Sequence, residues 1–460
     1  MNKKLKKGLA ILLIFVFCSS TVYASDGSET INEEVPETTI SAENEEGNSP
    51  SAIQQDTASE EQSTEEDADI YSEETTVMEE EPQIQVDDAV VTEMKSVVAA
   101  NAGEKTVDEI ELYSLKFMRK SQPGHDIQIH TIDPMYDIDD NITGYYVTFI
   151  RDGIPAGYIL ISFLHAGSPV VELSLDGLGI KENASKARMF TDTGKIRYVG
   201  PDQIYAENLA NEGTYSCLYE DKVCDTEELE SQYDTTLSVL NEQIEETAQI
   251  SGDGEISTMS IRGGIINWDA GNLDPSSIYK IPNFGSGSSY WITGDFTHLV
   301  SDSHCSPTAG TNILYYYGWQ FSSNPNNNVK VRGSYSVNSI FSILYNGMNT
   351  NGDSEFPGTF HRNIPNGFKS FFGTAAGQGD WNYRETGGFF DNFNTIIENC
   401  PISLSVRSGD RGHTMFAMGR ARSNTGNSYI MVLDGWHKAG RLVINNYYSK
   451  ISGFKIWVRV

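Results

Sequence analysis

Positive charge is scarce in this chain. Its 32 lysine and arginine residues stand against 64 aspartates and glutamates, which gives a net charge of −32. Between Ser25 and Asp88 there are 22 acidic residues and no lysine or arginine. Such a segment repels itself and has few large apolar side chains to bury, so we predict a disordered acidic spacer over 25–88. The net charge also argues against nucleic acid as a partner.

Long apolar runs are missing as well. The run from Leu9 to Phe17 is too short to span a bilayer as a retained helix. It follows four lysines and precedes a small-residue cleavage site at Ala24, the pattern of a secretory signal peptide over 1–24. Cys18 follows a bulky residue, which argues against a lipoprotein anchor. We expect a secreted protein, free or held at the cell surface by a partner, with no stable membrane insertion once the signal is removed.

Cysteine is sparse too, since the chain has five and Cys18 leaves with the signal peptide. Cys217 and Cys224 share a short segment, and we expect them to form a disulfide. Cys400 is expected to be structural, because a bridge from it to Cys305 would remove the candidate nucleophile. No close pair of cysteines or histidines with the spacing of a zinc site accompanies Cys305, so neither metal nor cofactor is expected.

One cysteine has an unusual context. Cys305 lies in the sequence His-Cys-Ser-Pro-Thr-Ala, where Pro307 fits the first turn of a helix. Ala309, Ile313 and Tyr316 follow at spacings of four and three, which predicts a buried helical face. The helix dipole and the free N–H groups at a helix start both favour a thiolate. A single cysteine is more often a small buried residue than a nucleophile. Whether Cys305 is a nucleophile therefore depends on partner residues elsewhere in the chain.

Two later segments supply those partners. His413 opens an apolar strand within Gly-His-Thr, and Asp434 closes the next strand within Val-Leu-Asp-Gly-Trp. Thiolate attack on an amide needs a base, and the base needs an orienting acceptor. We therefore predict Cys305 as nucleophile, His413 as base and Asp434 as the acceptor, with Trp436 covering their hydrogen bond. Taken singly, His413 is more often a structural histidine than a catalytic base, and Asp434 is more often a turn residue before a glycine.

With these motifs, residues 265–460 resemble a papain-like cysteine peptidase. The likeness is to the bacterial branch related to bacteriocin-processing leader peptidases and, more distantly, to streptopain. It implies a helical part, a C-terminal antiparallel sheet and peptide hydrolysis through a thioester acyl-enzyme. Relatives carry a glutamine about six residues before the nucleophile to bind the oxyanion, where this chain has Leu299. The backbone N–H of Cys305 remains available, and Ser301 or His298 are alternative donors.

The segment 89–225 has a globular composition. A capping box at Thr106 and a strand–turn–strand pattern around Asp152 and Gly153 predict a small α+β domain. Its turn sequence faintly resembles the propeptides of streptopain-like proteases. A secreted thiol protease must be kept inactive during export, so we interpret 89–225 as an inhibitory propeptide. The alternative is a permanent binding or wall-association module.

Residues 226–264 connect the two parts. An apolar stripe from Leu229 to Ile244 predicts a helix, and a Gly- and Ser-containing linker follows in which Arg262 is a candidate processing site. Residues 263–460 hold 12 acidic and 15 basic residues, a net charge of +3, so the C-terminal part should attract the acidic N-terminal half.

The expected fold class is α+β, with a small α+β pro-domain before the peptidase domain. The expected function is that of a secreted bacterial cysteine endopeptidase made as a zymogen. Its expected partners are a protein or peptide substrate and its own pro-domain. Two alternatives stay open: a surface-exposed binding or adhesion protein with an inactive peptidase-like domain, and an amidase or transpeptidase acting on cell-wall peptides through the same residues.

Overall fold

A computed structural model gives the fold of most of the chain. It describes residues 86–103, 105–193, 195–220, 222–250, 266–268, 271–300, 303–318, 328–333, 335–353, 357–409 and 411–459, with only the backbone over 244–250. The predicted signal peptide, nearly all of the acidic spacer, and the linker with Arg262 lie outside the described residues.

The described residues form helices and strands in both halves, as the α+β prediction requires. The helices are α1 (Asp88–Gly103), α2 (Val107–Ser121), α3 (Ala184–Asp192), α4 (Thr226–Ile250), α5 (Cys305–Tyr316), α6 (Val337–Gly347), α7 (Ile364–Gly373) and α8 (Gly388–Thr395). The strands of the N-terminal half are β1 (Gln128–Tyr136), β2 (Ile142–Arg151), β3 (Ile154–Ser162), β4 (Val170–Ser174), β5 (Ile196–Gly200), β6 (Gln203–Glu207), β7 (Thr214–Cys217) and β8 (Val223–Asp225). Those of the C-terminal half are β9 (Tyr279–Lys280), β10 (Lys330–Val331), β11 (Gly377–Gln378), β12 (Asp380–Gly387), β13 (Ile402–Ser408), β14 (Arg411–Arg422), β15 (Ser428–Leu433), β16 (Arg441–Ile444) and β17 (Lys450–Arg459).

Local sequence signals account for several of these elements. Helix α2 begins behind Thr106, whose hydroxyl accepts from the N–H of Glu109 while the Glu109 carboxylate accepts from the N–H of Thr106, so the predicted capping box is confirmed. The β2–β3 hairpin turns at Asp152 and Gly153 with φ angles of 52° and 74°. Two left-handed residues match the twist of the flanking strands, and the predicted turn is confirmed. Helix α1 was missed by the sequence analysis.

One mostly antiparallel sheet runs through both halves. Its strand order is β12, β17, β13, β14, β15, β16, β4, β3, β2, β1, β5, β6, β7, β8, and β9 also pairs with β14. The β1–β5 pair is parallel and the other neighbours are antiparallel. The two strands predicted on either side of Asp152 and Gly153 are β2 and β3.

The two predicted domains meet inside this sheet. Strand β4 of the N-terminal half pairs with β16 of the C-terminal half, with Leu173 opposite Leu442. Both leucines belong to one hydrophobic core that contains buried residues of both halves. The chain from Glu79 to Val460 is accordingly one compact unit. The segments 89–225 and 265–460 therefore share a sheet and a core.

Helix α5 positions the candidate nucleophile. It packs against β13 and β14, and its residues from Ser306 to Leu314 are all buried. The Ser306 hydroxyl donates to the Thr414 hydroxyl at 2.8 Å, which fixes the first turn of α5 against β14. The start of the helix therefore faces the strand that carries His413.

The predicted disulfide is wrong, because Cys217 and Cys224 are both free, buried thiols. In the β7–β8 hairpin Cys224 lies opposite Tyr215, and the N–H of Cys217 donates to the carbonyl of Lys222. The two cysteines are thus offset along the ladder rather than directly opposed. Burial raises the pKa of Cys224 to about 12 and also raises that of Cys217, so neither thiol favours the thiolate.

Candidate active site

The predicted nucleophile and base lie together. Cys305, the first residue of α5, is half-buried, and its thiol is hydrogen-bonded to the imidazole of His413 on β14. Burial by itself raises the pKa of the Cys305 thiol, but the hydrogen bond and the charge of His413 outweigh it, and the pKa is lowered. Burial likewise opposes the charged imidazole, yet its contact with Cys305 raises the pKa of His413. Both shifts favour a thiolate–imidazolium pair.

Asp434 contacts the base through its backbone rather than its side chain. The Nε2–H of His413 donates to the carbonyl oxygen of Asp434 at 2.6 Å. This contact leaves Nδ1 of His413 for the thiol of Cys305. The sequence analysis expected the Asp434 carboxylate in that position. The orienting acceptor that the base needs is therefore present, but it is a peptide carbonyl.

The Asp434 carboxylate is fully buried and faces away from His413. It accepts from the N–H groups of Trp436 and His437, both at 2.8 Å, and from Nδ1–H of His437 at 2.7 Å. Nε of Arg441 lies 3.3 Å from the same carboxylate. Burial raises the pKa of Asp434, but the charges of His437 and Arg441 and these hydrogen bonds hold it well below the usual range.

A sharp turn after β15 explains why the carbonyl of Asp434 contacts His413 while its carboxylate bonds to other groups. Gly435 has a φ of 82°, a left-handed conformation that a side chain disfavours. With the chain reversed there, the Asp434 side chain folds back on the next two N–H groups while its carbonyl points at His413. His437 was not identified from the sequence as a partner of Asp434. The spacing of three residues between Asp434 and His437 was the sequence feature that indicated a local carboxylate–imidazole pair.

An aromatic cover lies over the base. The Trp436 ring is parallel to the His413 ring, with 3.8 Å between centroids and an interplanar angle of 7°. Trp436 thus occupies the covering position that the sequence suggested, although it shields the imidazole rather than a bond to a carboxylate. Tyr219, from the turn after β7, packs on Trp436 at 5.1 Å. The N-terminal half therefore reaches the edge of the site.

Two acidic residues of the N-terminal half also act on the thiol–imidazole pair. Asp202 and Glu220 line a small cleft together with His413 and Trp436. Their charges raise the pKa of His413, and that of Glu220 also acts on the Cys305 thiol. Neither acid was singled out from the sequence, because nothing local marks them, and only the folded chain brings them to His413.

A buried arginine ties the two halves together behind the site. Nη1 of Arg441 lies 2.8 Å from the carboxylates of both Glu172 on β4 and Asp202. Arg441 is 1% exposed, and Glu172 and Asp434 are fully buried. The Tyr447 hydroxyl donates to Glu172 at 2.9 Å. Arg441 therefore links the turn after β15 to two carboxylates of the N-terminal half, a network that the sequence analysis missed.

Among the described residues of the loop that precedes α5, no side chain is placed to donate to the oxyanion. Leu299 is 38% exposed and apolar, and the Nε2 of His298 is paired with the Asn338 amide. Ser301 lies outside the described residues. The backbone N–H of Cys305 is at the first position of α5, where a helix leaves N–H groups without intrahelical partners.

The other histidine next to the nucleophile is turned away, as the sequence analysis expected. The Nε2–H of His304 donates to the carbonyl of Thr293 at 3.0 Å, and its ring packs edge-on against Phe341. His361, which the sequence placed in a loop, begins a short 3₁₀ turn and hydrogen-bonds to Ser405. His413 is therefore the histidine in contact with Cys305.

The described part of the chain has no group of three or more His, Cys, Asp or Glu side chains arranged to hold a metal ion. Among the same residues, no helix combines the length and apolar character needed to cross a membrane. Neither a scan against protein-family models nor a search of curated proteins found a match to this chain. What the site does must therefore be argued from its geometry.

The thiol of Cys305 should react with iodoacetamide far faster at pH 6 than that of Cys400, whose pKa is raised mainly by burial. An ordinary thiol is only about 0.3% thiolate at pH 6, whereas the contact with His413 lowers the pKa of the Cys305 thiol and so raises its thiolate fraction. We expect at least a tenfold difference in rate, resolved by mass mapping of alkylated peptides.

In His413→Ala the rate at Cys305 should fall at pH 6 and rise with pH, as for a free thiol, because the imidazolium is gone. In the unchanged protein the rate should begin to rise at a lower pH than in the variant, because the contact with His413 lowers the pKa of the thiol. Equal rates at pH 6 for Cys305 with and without His413 would contradict the ion pair.

Proposed function

We propose that this protein is a secreted cysteine peptidase of the papain-like class, made as a zymogen. The observation that carries the proposal is the thiol–imidazole pair of Cys305 and His413, with the pKa of the thiol lowered and that of the imidazole raised. A thiol at the start of a buried helix, paired with a base that is itself oriented, is the arrangement of an activated nucleophile. The sequence resemblance of residues 265–460 supports the same class.

In the proposed reaction the Cys305 thiolate attacks the carbonyl carbon of a peptide bond. The oxyanion is stabilised by the backbone N–H of Cys305, and the His413 imidazolium donates its proton to the departing amine. Water then attacks the thioester with His413 as base, which frees the carboxylic acid and restores the thiolate. The Asp434 carbonyl holds the imidazole in its orientation by accepting a hydrogen bond from Nε2–H.

The N-terminal half is proposed to restrain the site before processing. Tyr219 packs on Trp436, and Glu220 lies beside the catalytic pair, close enough for its charge to act on both groups. Arg411, two residues before His413, pairs with Glu220 at 3.7 Å. These contacts cover the His413 side of the site with a turn from the N-terminal half and support the role of an inhibitory propeptide.

The test is self-processing of residues 25–460 under mild reduction, followed by denaturing mass analysis and by labelling with a thiol-directed peptidase inhibitor. We expect conversion to a C-terminal fragment of about 200 residues, the size of one domain. Cys305→Ala should abolish both conversion and labelling. Cys400→Ala, which removes another half-buried free thiol, should leave both unchanged.

The outcomes separate the candidate functions. Conversion that persists in Cys305→Ala would assign the cleavage to another protease. Absence of labelling at Cys305, both in the intact chain and after the linker is cut by an added protease, would overturn the peptidase proposal. A surface-exposed binding protein with an inactive peptidase-like domain would then be the better description.

A further inference from the structure

A second polar cluster lies on the sheet face that carries α5. Nδ1 of His361 is 2.9 Å from the Ser405 hydroxyl on β13, and its Nε2 is 3.5 Å from the Glu385 carboxylate on β12. The His361 ring stacks on Phe454 at 4.4 Å, and Tyr383 packs against the same phenylalanine at 5.8 Å. Four functional side chains from three elements thus converge in a place that the proposed mechanism does not use.

The cluster is close to the nucleophile. Ser405 lies directly across from Thr414 in the β13–β14 ladder, and the N–H of Thr414 is hydrogen-bonded to the Cys305 thiol. Cross-strand neighbours are about 5 Å apart, which places His361 on the order of 10 Å from the thiol. An extended peptide advances about 3.3–3.6 Å per residue, so a long side chain one or two residues before the scissile bond spans this distance.

The loop that leads to His361 also borders the approach to the nucleophile. Gly358 comes so close to Ser303, two residues before Cys305, that an added Cβ would lie 3.8 Å from the serine Cβ. The carbonyl of Gly358 accepts from the N–H of Asn351 at 2.7 Å, which anchors this loop. Gly358, three residues before His361, therefore lies beside the segment that leads to Cys305.

Glu385 gives the exposed end of the cluster a negative charge, whereas the charge of Lys450, the first residue of β17, also acts on the His361 imidazole. Burial lowers the pKa of His361, so its imidazole is neutral near pH 7. A neutral ring that accepts from the Ser405 hydroxyl at Nδ1 presents Nε2–H toward Glu385, whose side chain is 68% exposed. Tyr383 is 44% exposed beside it. Arg384 alternates to the opposite face of β12, where it meets Glu398.

The contact pattern looks like a hydrolytic triad, but it lacks the means to hold an oxyanion. Ser405 sits in a central strand and is paired with Thr414 on one side and Ser452 on the other. Its own strand is hydrogen-bonded on both sides, and the N–H of the opposing Thr414 is engaged by the Cys305 thiol, so the surrounding backbone is not arranged to receive negative charge. The cluster is suited to binding rather than to a second reaction.

We propose that Glu385, Tyr383, His361 and Ser405 form a subsite for a lysine or arginine side chain of the substrate. Glu385 pairs with the cation, the exposed Tyr383 ring packs against the long side chain, and the Ser405–His361 pair orients the carboxylate. The inference rests on the proposed peptidase function and gives it a substrate class, namely peptides with a basic residue just before the cleaved bond.

The chain itself contains one suitable target. Between Lys222 and Lys280 the single basic residue is Arg262, in the linker that joins the two halves. A basic subsite one or two residues before the scissile bond predicts self-cleavage directly after Arg262 or after Gly263. Arg262→Gln should slow self-processing at least tenfold, because the cation that Glu385 pairs with is lost.

The substrate test uses the self-processed secreted chain and matched peptide amides. The peptides carry lysine or norleucine at one or the other of the two positions before the cleaved bond. Norleucine retains the methylene groups and removes the charge. We expect about tenfold higher kcat/KM for lysine than for norleucine at one of the two positions. In Glu385→Gln we expect the two kcat/KM values to converge within about twofold. Asp380→Asn removes a charge from the other face of the same strand and should keep the preference.

The results distinguish this inference from the function on which it rests. Equal rates for lysine and norleucine in the unchanged protein, or a lysine preference that survives Glu385→Gln, would overturn the basic subsite and leave the peptidase standing. Absence of cleavage of every peptide, with no inhibitor labelling of Cys305, would remove both. Loss of the lysine preference in Glu385→Gln, with the preference kept in Asp380→Asn, supports the subsite.

Discussion

Residues 265–460 produced without residues 25–264 are expected to be recovered as aggregated or unfolded protein. Their strand β16 pairs with β4, so the missing half would leave β16 as an open apolar edge. Arg441 would also lose Glu172 and Asp202 and keep only Asp434. Breaking a buried ion network in this way costs about 3–5 kcal/mol, a large share of the roughly 5–15 kcal/mol that stabilises a typical domain.

Co-expression of 25–264 with 265–460 should rescue the fold, because the contacts between the halves do not require a continuous linker. Soluble yield, size-exclusion mass and labelling of Cys305 are the measurements, with the intact chain as the control. The intact chain cut by protease within 251–265 should likewise elute as one particle until denaturant is added. A folded, monomeric 265–460 that labels as well as the intact chain would contradict this expectation.

Retention of the N-terminal half after cleavage would change how the protein is activated. Cleavage near Arg262 would then produce two chains held by a shared sheet and core rather than a freed peptidase domain. Relief of inhibition would come from movement of the turn with Tyr219 and Glu220, which contacts the site, while β4 stays paired with β16. The N-terminal half would act as inhibitor before the cut and as part of the scaffold after it.

Arg441→Met should lower the free energy of unfolding by about 3–5 kcal/mol, the range for removing one partner of a buried pair. Methionine keeps much of the length of the side chain but leaves the fully buried Glu172 and Asp434 without their shared cation. Urea unfolding followed by tryptophan fluorescence measures the change. Since Arg441 also holds the turn that presents the Asp434 carbonyl, the pH 6 alkylation rate of Cys305 should fall as well.

Arg422→Met is the matched control. Arg422 is an exposed residue at the end of β14, where its guanidinium lies over the Phe393 ring, and surface substitutions of this kind are usually within about 0.5 kcal/mol. A loss for Arg441→Met no larger than that for Arg422→Met would show that the network contributes little. In that case the shared sheet and core alone would have to hold the halves together.

Much of the candidate site could be predicted from the sequence because its signals are local. Pro307 two residues after Cys305 marks a helix start, and the thiol does lie at the first position of α5. The turn at Asp152 and Gly153 and the capping box at Thr106 depend on residues within three or four positions of each other. His413 and Asp434 were found as the ends of two apolar runs, which adjacent strands place together.

Other features depend on contacts that sequence spacing does not encode. The left-handed Gly435 turns the carbonyl of Asp434, rather than its carboxylate, toward His413. The carboxylate is instead paired with His437 and Arg441. The expected Cys217–Cys224 bridge failed because the ladder register offsets the two residues. Register is set by which faces are buried, and a short Cys–Cys spacing carries no information about it.

The sequence by itself thus determined most of the elements, the choice of Cys305 and His413 as candidate nucleophile and base, and the α+β class, because helix starts, turns and alternating strands are encoded over a few residues. Only the tertiary structure joined the halves into one sheet, brought Glu172 to an arginine 269 positions away, and placed Glu220 beside His413. Such pairings follow from the burial of the whole chain, in which each contact is favourable only once the surrounding core has formed.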